Sequence, residues 1–172
     1  MEKNFIKFPS ITEEYDGTTL SGNNYVFEKI DGANVSIRRG GNRVVPWSRG
    51  GPVGRSDKYF FSEFRRFVYQ KLTPQIFVLP HRAVLFGEFT HPGCGHIPYP
   101  ENRQHQFFML TVYHSRKHNF YLPQESWQYV EAMGLDQKMQ RTPLLHQGEV
   151  TPELVQRLLQ EPSALYPGPK EG

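Results

Sequence analysis

Tyr25 to Ile30 alternates in the manner of a strand, and Asp31-Gly32 breaks the run. Ala33 to Arg38 repeats the pattern. Gly40-Gly41 is a tight-turn pair leading into Arg43-Val44-Val45, so the three segments predict a small antiparallel meander. Gly50 to Gly54 is a glycine-rich loop. From Ser56 to Leu72 the period changes: Phe60, Phe64, Phe67, Val68 and Lys71 recur at helical spacing, with Ser56 placed to cap. Ala83 to Phe89 and Phe107 to Tyr113 read as apolar strands, and Asn119 to Leu122 is placed to pair with the second. Pro123 to Met133 has proline at its start and Gly134 just past its end, the usual punctuation of a helix. Thr151-Pro152-Glu153 opens another helix, running to about Gln160, and Ser163 to Lys170 is a proline-rich loop. Strands and helices mix without regular alternation. The expectation is an α+β fold rather than a doubly wound sheet.

Composition narrows this picture little. The 172 residues suit one domain with a hydrophobic core, 37% of them hydrophobic and 22% charged. No apolar run approaches the ~20 residues of a membrane span, and Met1 to Ser10 lacks the apolar core of a signal peptide. Cys94, the single cysteine, excludes an internal disulfide and fits a reducing compartment. A soluble, intracellular, cytoplasmic protein is expected. The net charge is only +3, but its distribution is uneven. From Arg38 to Lys71 there are nine basic residues against Asp57 and Glu63, a local field that attracts phosphates or else a solvated basic face.

Lys29 carries the first candidate chemistry. Taken alone, Lys-x-Asp-Gly is most often a surface lysine beside a turn. Its neighbourhood says more. Lys29-Ile30-Asp31-Gly32-Ala33-Asn34 resembles the nucleotidyltransferase motif of covalent ligases, in the form used by RNA ligase 2-type ATP-dependent RNA ligases. Ser48-Arg49-Gly50-Gly51-Pro52 resembles the arginine motif that follows, and Phe86-Gly87-Glu88-Phe89 the central Gly-Glu motif. His91 to Pro100 has the family's Pro-Gly character, Phe107 to Tyr113 resembles the strand behind the adenine, and Glu171-Gly172 resembles the start of the fourth motif. Asn34 stands where DNA ligases and capping enzymes usually carry arginine, which favours ATP and RNA over GTP or nicked DNA.

The resemblance implies a nucleotidyltransferase (ATP-grasp-like ligase adenylation) domain with antiparallel sheets flanking an ATP groove. It implies ATP and Mg²⁺ (or Mn²⁺) as cofactors, and RNA ends or a nicked duplex as partners, in RNA repair. Lys29 attacks the α-phosphate of ATP and forms lysyl-AMP. AMP passes to an RNA 5′-phosphate, and a 3′-hydroxyl seals the strand. Because a free lysine titrates at about 10.4, such a nucleophile needs activation by nearby cations or desolvation. Glu28 and Ile30 flank it, with Glu28 near the adenine. Asn34 and Arg49 hold phosphate or ribose. Glu88 binds ribose or helps place a metal, and Glu171 assists metal or substrate placement. The base-covering position falls to Phe108 or Leu110, with Thr111 where the family usually has an acid.

The likeness runs from about Tyr25 to the last residue. It implies a single domain over residues 1–172 without the fifth motif, a lysine pair on the α-phosphate, and without a C-terminal RNA-binding domain. A truncated module that holds a nucleotide or RNA end without catalysis is therefore the alternative. Two weaker candidates remain. His81, His91, Cys94 and His96 have zinc-type donors, but their spacing matches no standard structural site and loop residues flanking the pocket fit better. Arg65 and Arg66 read as the wet face of the Ser56 helix or as RNA phosphate contacts.

Overall fold

The computed structural model describes residue 8 and residues 15–40, 43–54, 59–72 and 83–170. One mixed sheet organises most of the chain. Strands β2 (Ala33–Gly40) and β3 (Arg43–Ser48) form a hairpin, and a short β4 (Gly51–Pro52) folds back onto β3. On its other edge β2 pairs antiparallel with β5 (Ala83–Phe89), which pairs with β6 (Phe107–His114), and β7 (Asn119–Phe120) closes that side. The order is β4-β3-β2-β5-β6-β7, and β8 (Gln140–Arg141) adds a short parallel pairing to β6.

The expected meander is corrected here. Strand β1 (Leu20–Phe27) does not join β2; it pairs with β9 (Leu144–Val150) in a separate two-stranded sheet. It also stops at Phe27, so Glu28, Lys29 and Ile30 leave the strand and cross to the main sheet. The reason is local. The Glu28 N–H donates to the Pro143 carbonyl outside the regular ladder, and the main sheet begins only at Ala33.

The core lies between the main sheet and helix α1 (Tyr59–Phe67), which continues as a π-turn, Val68–Leu72. Phe64 and Phe67 pack on Phe89 at ring separations of 5.3 and 5.6 Å, and Phe64 stacks near Phe107. Each buried phenyl ring contributes about 1.5–3 kcal/mol. The π-turn changes the last step of the helical pattern: Leu72 is buried where Lys71 had the expected spacing, and Lys71 is exposed. Ser56, the expected cap, lies outside the described residues. Helix α2 (Pro123–Ala132) starts on Pro123, and Glu125 accepts from the Leu122 N–H at 2.9 Å. Helix α3 (Pro152–Gln160) is capped by Thr151, whose hydroxyl accepts from the Leu154 N–H at 3.2 Å. No helix among the described residues is long and apolar enough to cross a membrane.

Candidate active site

Three segments meet at one end of the main sheet and enclose a cleft of about 550 Å³. The crossing segment supplies Lys29 to Asn34, the β3–β4 turn supplies Ser48 to Gly50, and β5 supplies Glu88; Phe60, Phe61 and Cys94 complete the described wall. Lys29 is exposed.

Strand register brings Asn34 and Glu88 together. They are direct partners across β2 and β5, and the Asn34 amide donates to Glu88 Oε1 at 2.9 Å. Desolvation pushes Glu88 up to about 7, against the opposing pull of the Asn34 hydrogen bond and the charges of Arg49 and Lys29. The carboxyl therefore sits close to its ionisation point at neutral pH, and added positive charge in the cleft drives it to the anion. Arg49 lies at the tip of the β3–β4 turn. Ser48 shapes that turn: its hydroxyl accepts from the Gly50 N–H and donates to the Gly51 carbonyl, both at 3.2 Å.

Asp31 does more than end a strand. Its carboxylate accepts from the Ile97 N–H at 2.7 Å and from the His96 N–H, while its own N–H donates to the Tyr99 hydroxyl at 2.9 Å. The residue thus ties the lysine segment to the 94–99 loop. Two glycines permit the approach. A Cβ on Gly95, whose φ is +82°, would sit 2.5 Å from the Asp31 carboxylate, and one on Gly32 would sit 2.8 Å from the Phe89 carbonyl.

Several expected placements differ. Glu28 is 2% exposed, and its carboxylate faces the 163–166 loop: it accepts from the Ala164 N–H at 3.0 Å and from the Ser163 hydroxyl. It is a buried anchor for that loop. Phe108 has no exposed surface and packs with Ile30, Tyr99 and Leu165. Phe86 pairs with Thr111 and Gly87 with Met109, so Leu110 falls in a bulge that resets the alternation. Neither Phe108 nor Leu110 is among the described residues lining the cleft. Thr111, in the position expected of an acid, bonds to the Tyr121 carbonyl at 3.0 Å. Ile30 meets both environments, touching the cleft and capping the Phe108 cluster. Glu171 lies outside the described residues, as does His81.

The loop donors serve packing. The His91 ring accepts from the Gly93 N–H at 2.9 Å and stands edge-on to His105, and burial beside that ring lowers its pKa. Among the described residues no group of three His, Cys, Asp or Glu side chains converges on a metal position. Ser48 and Cys94 lie in the cleft wall, in keeping with the arginine motif and with a loop flanking the pocket, and the residues that sequence reasoning missed there are Phe60 and Phe61.

The sequence matches the RNA ligase family over residues 23–172. No curated protein sequence matches it significantly. Among solved structures, a Naegleria gruberi RNA ligase variant with AMP and Mn superposes with a TM-score of 0.69 at 17% identity, covering 96% of this chain and 53% of that one. A second variant of the same ligase, with ATP and Mn, gives 0.68 at 16% identity, covering 91% and 45%. The apo form of a third gives 0.67 at 16% identity with the same coverage. At such identities the likeness establishes the fold, and the chain spans about half the length of these solved relatives. With most of its length inside the family match and its fold that of a ligase nucleotidyltransferase domain, the chain belongs to the RNA ligase family.

Proposed function

We propose that the cleft binds ATP and that Lys29 takes AMP from it, as the adenylyltransferase domain of an ATP-dependent RNA ligase. The observation that carries the reading is the convergence of Lys29, Arg49 and the Asn34–Glu88 pair on one cleft, brought together by strand register and one turn. The Lys29 amine attacks the α-phosphorus, a P–N bond forms, and pyrophosphate leaves with the electrons of the broken P–O bond. The 5′-phosphate of an RNA then displaces Lys29, and a 3′-hydroxyl displaces AMP. Each step builds charge on phosphoryl oxygens, so positioning and cationic contacts dominate the barrier. The exposed Arg49 guanidinium suits a phosphate or ribose, and the Asn34 amide fixes Glu88 for the same sugar or for a cation.

The cleft fits a divalent ion of the Mg²⁺ or Mn²⁺ type held largely by phosphates. Among the described residues it offers the Glu88 carboxyl, whose desolvation a cation would relieve, while the Asp31 carboxylate is engaged by backbone N–H groups. When bound, such an ion neutralises phosphate charge. We further place RNA ends or a nicked duplex as the substrate, and residues 1–172 as a single nucleotidyltransferase domain. The solved relatives with ATP, AMP and Mn support this choice of ligands. The test follows α-³²P-labelled ATP with Mg²⁺: label appears first on the protein and then on a 5′-phosphorylated RNA. ATP binding with no label on protein would reduce the chain to a nucleotide-holding module.

A further inference from the structure

Helix α1 leads out of the cleft along a second lined depression. Phe60 and Phe61, at its start, belong to the cleft wall. Ser62, Arg65, Arg66, Tyr69 and Gln70 follow on a single stripe and line a separate groove of about 310 Å³. From Phe61 to Gln70 the helix rises about 14 Å at 1.5 Å per residue. Among the described residues the lining holds two cations and no acid.

The groove is also ordered. The Arg65 guanidinium lies 4.8 Å above the Tyr69 ring, and the Tyr69 hydroxyl donates to the Val44 carbonyl at 3.2 Å, fixing the ring against β3. Arg66, with 62% of its side chain exposed, is 3.2 Å from the mostly buried Glu63 carboxylate, which orients it without leaving the helix surface. A solvated helix face needs no concavity and no aromatic floor anchored to a neighbouring strand.

We propose that this groove holds the sugar–phosphate backbone of the RNA strand leading away from the reactive end. The inference rests on the RNA ligase reading and extends it to the substrate's path. Arg65 and Arg66 present planar donors that match phosphate oxygens. The Ser62 hydroxyl and the Gln70 amide supply neutral partners for ribose 2′-hydroxyls, and the Tyr69 ring supplies a flat surface for a sugar or base.

The test is fluorescence anisotropy with a short 5′-phosphorylated RNA carrying a 3′ fluorophore, without ATP, over a series of KCl concentrations. Wild type is compared with Arg65→Ala, Arg66→Ala, the double variant and Arg65→Lys, and each is also assayed for the AMP adduct. Each alanine variant is expected to bind RNA at least about fivefold more weakly and to lose about one from the salt slope, while still forming the adduct. Arg65→Lys keeps the charge without the planar fork and falls between. A double variant with wild-type RNA affinity and salt slope overturns the inference, as does a wild type that forms the adduct but does not bind the RNA. A wild type that forms no adduct yet binds RNA through Arg65 and Arg66 overturns the ligase reading and leaves the groove standing.

Discussion

Replacing Glu88 with glutamine is expected to stabilise the protein while impairing its site. Burial raises the Glu88 carboxyl from the ordinary 4.5 to about 7. Its neutral form is therefore the one the fold favours. Below pH 4.5 the group is protonated in both folded and unfolded chains and costs nothing. Between 4.5 and 7 the unfolded chain releases the proton first, so stability falls as pH rises, and above 7 the loss is complete. The difference of 2.5 between the two values (7 − 4.5) corresponds to about 3 kcal/mol. Glutamine is neutral throughout, nearly the same shape, and keeps an oxygen to accept from Asn34. In the absence of nucleotide and metal, Glu88→Gln should exceed wild type at pH 8 by about 2–3 kcal/mol, a rise in Tm of about 5–10 °C, and match it near pH 4.5. Urea denaturation of both proteins across that range measures the difference. A variant equal to or less stable than wild type at pH 8 would refute the claim that this carboxyl is held against its ionisation. The same variant should form the AMP adduct more slowly, because the cleft loses the Glu88 carboxyl proposed to meet ribose or cation.

Two further substitutions test how the cleft is built. Asp31→Ala removes the acceptor for the Ile97 and His96 N–H groups and should cost about 2–3 kcal/mol in urea denaturation at pH 7, together with a reduced adduct yield; unchanged stability would show that the tie to the 94–99 loop is dispensable. Gly87→Ala places a Cβ 2.4 Å from the Phe108 carbonyl and 2.5 Å from the Phe107 ring, so Tm should fall by about 6–12 °C, corresponding to about 3 kcal/mol; a shift within a degree or two would mean that the β5–β6 pairing yields readily there.

The parts of the site legible in the sequence were those set by short-range order. Lys29, Asp31 and Asn34 lie within one six-residue run, and Arg49 within a turn that Ser48 and glycine specify. Glu88 was legible as a motif residue, but its partner was not: the Asn34–Glu88 bond depends on β2 and β5 meeting across 54 residues of chain. Strand β9 escaped notice because Leu144–Val150 has neither strict alternation nor a buried face, its surface running from exposed to half-buried until Val150. It is held largely by ladder bonds to β1, which leave no trace in hydropathy. Missing it led to the wrong partner for β1. The bulge at Leu110 went unseen for a related reason. Alternation is a safe guide only while a ladder stays in register, and the bulge opposite Phe86 and Gly87 breaks it. Glu28 shows the remaining limit: adjacency to Lys29 in sequence said nothing about the loop 135 residues later that its carboxylate binds.

The most direct test of the central claim is an intact-mass measurement after incubation with ATP and Mg²⁺, followed by peptide mapping, on wild type beside Lys29→Ala. An AMP adduct on wild type, mapped to Lys29 and absent from Lys29→Ala, is the predicted result. The same adduct on Lys29→Ala, or an adduct mapped to another residue of wild type, would contradict the assignment of Lys29 as the nucleophile.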